Sequence, residues 1–260
     1  MSPIRFTQPE LPEEFRKLPP SVQADIERVT REATLMAQTK ATFIIIAPPP
    51  AEGGTMNSAS ASVLSLIGAE YLVTADHVVQ KYLTRVADEP TIIFQAGRTV
   101  VPAPLSVVWR DADADLAIVA LPPKQASEVG VTADSAPNGW PPPVPRVGEY
   151  VLVAGYPSQA MVHHSDDRYQ FNALATRHKV TSVGSDYCMC QWERDQFISF
   201  GGPGIPEAGS MLGGLSGGPV FLEQRLSFPL IGAVSQFQEN FELLRVGLLA
   251  AAPATLHRVV

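Results

Sequence analysis

Cysteine is nearly absent. The 260 residues contain two, Cys188 and Cys190, and a bridge between residues so close on one strand would be strained. Stability is therefore expected to come from a packed core without disulfides, and unbridged thiols suit a reducing compartment, the cytoplasm. Charge is also sparse, at 17% of residues, with a net charge of -7 and a pI near 5.2. Lysine and arginine form no basic stripe, which argues against a nucleic-acid partner and against an anionic membrane surface. No apolar run approaches the roughly 20 residues of a membrane-spanning helix. Residues 1–15 lack the apolar stretch of a signal peptide. Two clusters, His163-His164-Ser165-Asp166-Asp167 and Cys188-x-Cys190, have no second pair at a spacing that completes a tetrahedral metal site. No metal or cofactor is expected.

What is present is apolar content of 45%, enough at this length to bury a core, and frequent turns. Residues 1–40 read as an N-terminal arm and helix. Ser21 is expected to cap a helix reaching about Gln38, with Val22, Ile26, Val29, Ala33 and Met36 at helical spacing. Packing on the body is the first reading of that helix, and docking of a partner is the second. From Thr42 onward the pattern is that of short strands, with three-residue turns expected at Gly68-Ala69-Glu70 and Ala96-Gly97-Arg98. Residues 133–147 hold five prolines, too rigid and too poor in donors for a sheet interior. They read as a linker between a first β-barrel, 41–132, and a second, 148–260. Many short strands with little helix between them indicate an all-β protein.

Three segments carry chemistry. Val73-Thr74-Ala75-Asp76-His77-Val78 ends a strand in a histidine, and Asp113-Ala114-Asp115-Leu116 puts a carboxylate at the start of a buried strand. Gly213-Gly214-Leu215-Ser216-Gly217-Gly218-Pro219 holds a serine inside a glycine turn. A serine hydroxyl is a weak nucleophile until an imidazole takes its proton. The imidazole in turn needs a buried carboxylate to fix its tautomer. Glycines beside the serine allow two backbone N–H groups to converge on a developing oxyanion. Asp111 and Asp113 are rivals to Asp115, which is preferred because it directly precedes the apolar strand.

These motifs, in the order His, Asp, Ser, resemble the signatures of trypsin-like peptidases over residues 41–250, closer to the disulfide-free bacterial branch than to secreted digestive enzymes. The resemblance implies two Greek-key antiparallel barrels and a catalytic triad of His77, Asp115 and Ser216. It also implies oxyanion-hole N–H groups from Gly214 and Ser216, and a protein or peptide substrate. It places Ser235, Gln236 and Phe237 on a strand edge that pairs with extended substrate. Ser210, Met211 and Phe237 would line a neutral, shallow pocket for small or medium apolar side chains. Leu215 stands where the digestive enzymes have an aspartate that binds a freshly cut N-terminus. Any control must then come from loop ordering, for which Gly201-Gly202-Pro203-Gly204 is a candidate, or from an activating protein partner at the N-terminal extension.

Gly214-Leu215-Ser216-Gly217-Gly218 also fits the nucleophile elbow of an α/β-hydrolase. That fold needs an acid and then a histidine after the serine. No Asp follows Ser216, the only later histidine is His257, and Pro219 would break the helix due at the elbow. The remaining rival is a catalytically inactive binding or regulatory module on the trypsin-like scaffold.

Overall fold

The computed structural model describes residues 6–7, 13–49, 54–136, 139–165, 168–192, 205–206, 212–224 and 227–254. The protein is mostly β-strand. Seven strands form one antiparallel sheet in the order Thr99–Val101, Ile93–Ala96, Ala41–Ala47, Asn57–Leu66, Ala69–Thr74, Leu116–Leu121 and Val107–Asp111. Six more close into a barrel: Leu174–Val183, Tyr187–Gln191, Leu243–Leu248, Leu230–Gln238, Pro219–Leu222 and Tyr150–Gly155. The all-β expectation with an N-terminal helix holds. The second half closes fully, while the first curls as an open sheet, or half-barrel.

Each sheet is built from β-branched and aliphatic residues at period two or in fully apolar runs. Leu116–Leu121 is a run of the second kind, with all but Ala120 buried. One core, around Ile44, Val63, Leu72, Val79 and Phe94, fills the open sheet. A second, around Val153, Val180, Leu215, Val220 and Val246, fills the barrel. Between them lies a cluster of Leu64, Tyr71, Ile118, Leu152, Ala154 and Phe221 that joins the two bodies. Leu215 thus sits in the barrel core, an apolar side chain with no ion pair to offer a chain terminus.

Local details depart from the sequence pattern in instructive ways. The long helix spans Pro20–Lys40, with proline at its first turn and no side-chain cap, so Ser21 does not cap it. Proline at that position loses no intrahelical bond and has its φ already set. The helix packs on the barrel strands Tyr150–Gly155 and Leu174–Val183, and Lys40 at its end binds the buried Asp134 carboxylate at 2.8 Å. Residues 133–136 are therefore tied to the body. Both hairpin turns have two residues, because Leu66 pairs with Ala69 and Ala96 with Thr99. Ile67 and Gly68 take positive φ values of 49° and 78°, the pattern of a turn whose twist matches its strands. A helix Asp76–Asp88, which the sequence pattern did not indicate, follows the histidine strand. The sequence also suggests a short closing helix near Leu256, which lies outside the described residues.

Cys188 and Cys190 are free and buried in the barrel. The contact with Cys188, then burial, raises the Cys190 thiol pKa. His178 is buried with them, its Nε2 2.6 Å from Thr176 Oγ1 and its ring stacked on Trp192. Burial pulls its pKa from 6.5 down to about 4. The unfolded chain then binds the extra proton between those values, so stability is complete above pH 6.5 and falls as pH drops toward 4. The loss amounts to about 3 kcal/mol. Denaturant unfolding at a series of pH values is expected to show this slope, and His178→Gln to flatten it.

Candidate functional site

Val73 and Thr74 end a buried strand, and Ala75 turns the chain into the helix Asp76–Asp88. His77 therefore stands in the first helical turn, half exposed, rather than at the tip of a strand. Its neighbour Asp76 is gripped by the Arg110 guanidinium through Nε and, at 3.1 Å, through Nη2. Arg110 also donates to Gln80 Oε1 at 2.7 Å. That charged clamp pins the helix start to the edge strand Val107–Asp111.

Asp115 faces His77 across the turn that precedes Leu116–Leu121. Its φ of 52° is left-handed, a conformation that aspartate tolerates better than most residues. Asp111 shapes the turn by accepting the N–H groups of Asp113 and Ala114 on Oδ1, both at 2.9 Å. Of the three candidate aspartates, only Asp115 meets the histidine. Its Oδ1 accepts the His77 backbone N–H at 2.9 Å, and its Oδ2 lies 2.8 Å from His77 Nδ1. Burial raises the Asp115 pKa, but the bonds from His77 and Ser235 outweigh it and hold the carboxyl below its usual range.

The Ser235 hydroxyl lies 2.9 Å from Asp115 Oδ2. Arg245 Nη1 lies 3.0 Å from the same hydroxyl, and Arg245 Nη2 reaches the Asp113 carbonyl. A guanidinium only donates, so Ser235 Oγ accepts from Arg245 and must give its one hydrogen to Asp115. The guanidinium rests on Tyr187, 4.7 Å from the ring centre. A chain of bonds therefore runs Arg245, Ser235, Asp115, His77.

Ser216 sits in a turn that only glycine permits. A Cβ on Gly217, at φ 81°, would come within 2.1 Å of both the Ser60 carbonyl and Thr74 Oγ1. One on Gly214, at φ 89°, would meet the Tyr156 carbonyl at 2.6 Å. The turn is held from the other body by Ser60. Its N–H donates to the Ser216 carbonyl at 2.8 Å, and its hydroxyl donates to the Gly214 carbonyl at 2.7 Å. Gly217 N–H is bound to the Val234 carbonyl at 2.7 Å. Among the described residues, the N–H groups of Gly214 and Ser216 have no acceptor, and neither does the Ser216 hydroxyl.

His77, Asp115, Gly213, Ser216, Ser235 and Arg245 share one cavity of about 770 Å³, continued by Gln236, Phe237, Gln238, Glu239, Asn240 and Phe241. Pairing of the strand Leu230–Gln238 with Pro219–Leu222 stops at Ala233. Its far end, Ser235–Gln238, therefore has no strand partner on the cavity side among the described residues. Phe237 lies across Trp192, with ring centres 5.4 Å apart. Ser210, Met211 and Gly201–Gly204 lie outside the described residues.

The model of the trypsin-like peptidase domain family matches residues 60–226, more than half of the chain and the whole stretch from Ser60 past the serine turn. The chain belongs to that family. This peptidase is a trypsin-like serine protease by family, and among its described residues no helix is long and apolar enough to cross a membrane. No curated protein matches it significantly. Among solved structures, it is similar to a protease from M. tuberculosis in its active form, at 16% identity and a TM-score of 0.46, over 95% of this chain and 86% of that one. Similar too are Anisep, a protease from Arthrobacter nicotinovorans (15%, TM-score 0.45, 81% and 90%), and AL20, a thermostable serine protease from an extremophilic microorganism (15%, 0.43, 82% and 92%). Sequence reasoning had missed Arg245 and Ser60. A lone arginine in the apolar strand Leu243–Leu248 was the available signal for the first. For Ser60 there was none, since a serine among small residues marks nothing by itself.

Proposed function

We propose that the peptidase is an endopeptidase in which Ser216 is the nucleophile, His77 its general base and Asp115 the group that orients the imidazole. The carrying observation is the bond chain that ends on His77 Nδ1 and opens on the same cavity as Ser216. Every donor around Asp115 points at it, so the imidazole keeps its hydrogen on Nδ1 and presents a bare Nε2 to the serine proton. Proton transfer lets Ser216 Oγ attack the scissile carbonyl carbon. The resulting oxyanion is received by the N–H groups of Gly214 and Ser216. Collapse of that intermediate breaks the C–N bond, His77 protonates the leaving amine, and water hydrolyses the acyl-enzyme by the same steps.

The cavity-side edge of Ser235–Gln238 would carry an extended peptide as an added strand. Neutral Ser210 six residues before the nucleophile, with Met211 and with Phe237 at the cavity, favours cleavage after small or medium apolar side chains. Two unbridged buried thiols are compatible with the cytoplasm. The division into an arm to residue 40, bodies at 41–132 and 148–260 and a connection at 133–147 places the histidine and aspartate in one body and the serine in the other.

A fluorophosphonate probe tests the mechanism without knowledge of the substrate. Labelling at neutral pH is expected to be covalent and, by peptide mass mapping, confined to Ser216. Label on another serine, or none on a folded chain, would refute the assignment.

A further inference from the structure

The Gly213–Gly214 peptide can face two ways. With glycine on both sides, no side chain opposes a flip. One orientation offers the Gly214 N–H to an oxyanion, and the other would put the Gly213 carbonyl oxygen there and repel it. Something outside the turn must choose.

Ser158 makes that choice. Its backbone N–H donates to the Gly213 carbonyl at 2.6 Å and its hydroxyl donates to the same oxygen at 2.9 Å. A carbonyl has two lone-pair sites, and here both are filled from one residue. Because C=O and N–H point oppositely across a trans peptide, this leaves the Gly214 N–H on the side away from Ser158, with no acceptor among the described residues. The approach is tight: a Cβ on Gly214 would lie 2.7 Å from Ser158 N. The next carbonyl along, that of Gly214, is occupied by Ser60.

We infer that Ser158 is a positioning residue that locks the oxyanion hole in its competent orientation, so that the free chain needs no activating partner. This deepens the proposed protease reading and rests on Ser216 as nucleophile. Control by a partner or by loop ordering, if present, would have to act by breaking the Ser158 latch rather than by forming the hole.

Two substitutions grade the latch. Ser158→Ala removes the hydroxyl bond and leaves the backbone one. Ser158→Pro removes both donors and sets its Cδ against the Gly213 carbonyl oxygen, which lies 2.6 Å from Ser158 N, so it drives that carbonyl out of its bonded orientation. Pro157, at φ -62° and ψ 136°, and the helical turn begun by Ser158 suit proline in the backbone itself. With p-nitrophenyl acetate, kcat is expected to fall about five- to tenfold for Ser158→Ala. For Ser158→Pro the expected fall is about 10²- to 10³-fold, as for loss of an oxyanion donor. KM should hold in both variants and Tm in Ser158→Ala, and Ser158→Thr should restore the rate. Affinity for phenylboronic acid, whose adduct on a serine places an oxygen in the hole, should drop in step with kcat. A merely structural role would not produce that parallel. Full kcat in Ser158→Pro, or a rise in KM alone, would overturn the inference. Crystal structures of wild type and Ser158→Pro give a readout independent of activity. The Gly213 carbonyl should face Ser158 in the wild type and the cavity in the variant, and a wild-type carbonyl facing the cavity refutes the latch. A wild type that neither hydrolyses the ester nor takes the boronate would sink the protease reading, while the two crystal structures still decide the latch.

Discussion

Ser216→Ala is expected to lower the turnover of p-nitrophenyl acetate on the order of 10⁶-fold, to the residual rate that binding and the oxyanion hole still supply, while leaving the fold in place. The separation follows from how the turn is built. Its shape comes from backbone bonds: Ser60 N–H to the Ser216 carbonyl, Gly217 N–H to the Val234 carbonyl, and Gly218 N–H to the Leu215 carbonyl at 2.9 Å. None uses the Ser216 hydroxyl, which has no partner among the described residues. Removing it leaves no buried donor or acceptor unpaired, so the change in unfolding free energy should stay within about 0.5 kcal/mol. All of the loss is then chemical. A second substitution sharpens the test. If His77 acts only by taking the Ser216 proton, His77→Ala on top of Ser216→Ala should cost nothing more, because groups that work as a unit are not additive. A further drop in the double variant would mean that His77 serves a different nucleophile. Equal melting curves with undiminished turnover would remove Ser216 from the mechanism.

The parts of this site that were legible in the sequence share a property: each is a residue type with one plausible chemical use, in a local pattern that restricts it. Gly214, Gly217 and Gly218 around a serine are such a pattern, since φ values of 89° and 81° at the first two exclude any other residue. Asp115 was distinguishable from Asp111 and Asp113 because only it adjoins an apolar strand, and burial is what makes a carboxylate useful to an imidazole. The positioning residues were illegible for the opposite reason. Ser60, Ser158 and Arg245 reach the site across 154, 55 and 10 residues of chain from Gly214, Gly213 and Ser235. Serines of ordinary appearance acquire a role only when the fold places them under a carbonyl. The curl of the first sheet was likewise hidden. Whether seven strands close or remain open depends on edge pairing between Thr99–Val101 and Val107–Asp111, and period-two patterning is the same in either case. The two-residue turn at Ile67-Gly68 was missed because Ile67, β-branched and 80% exposed, takes a positive φ that its type disfavours; strand register overrode local preference there.

The second large effect is expected from Asp115→Asn, which changes one atom and almost no volume. Asp115 now receives only donors: the His77 N–H on Oδ1, and His77 Nδ1–H with the Ser235 hydroxyl on Oδ2. An asparagine must turn its NH₂ toward one side or the other. If it faces the Oδ2 side, the imidazole can bond to it only by moving its hydrogen to Nε2, where it can no longer accept the serine proton. Ser235 can rotate to accept the new N–H on the lone pair that Arg245 leaves open, but that does not remove the donor facing the imidazole hydrogen. If instead the NH₂ faces the Oδ1 side, it opposes the His77 backbone N–H and disturbs the first turn of the helix Asp76–Asp88. Facing the Oδ2 side is the less costly choice, since it exchanges a tautomer for a backbone bond. The expected result is a fall in kcat of about 10⁴-fold, little change in KM, and a crystal structure with the ring in its original place. The nitrogen shifts of a labelled imidazole should report the hydrogen on Nε2 in the variant and on Nδ1 in the wild type. Loss of less than tenfold, or an unchanged tautomer, would mean that Asp115 does not orient the base, and the bond chain from Arg245 to His77 would then be a support for the fold alone.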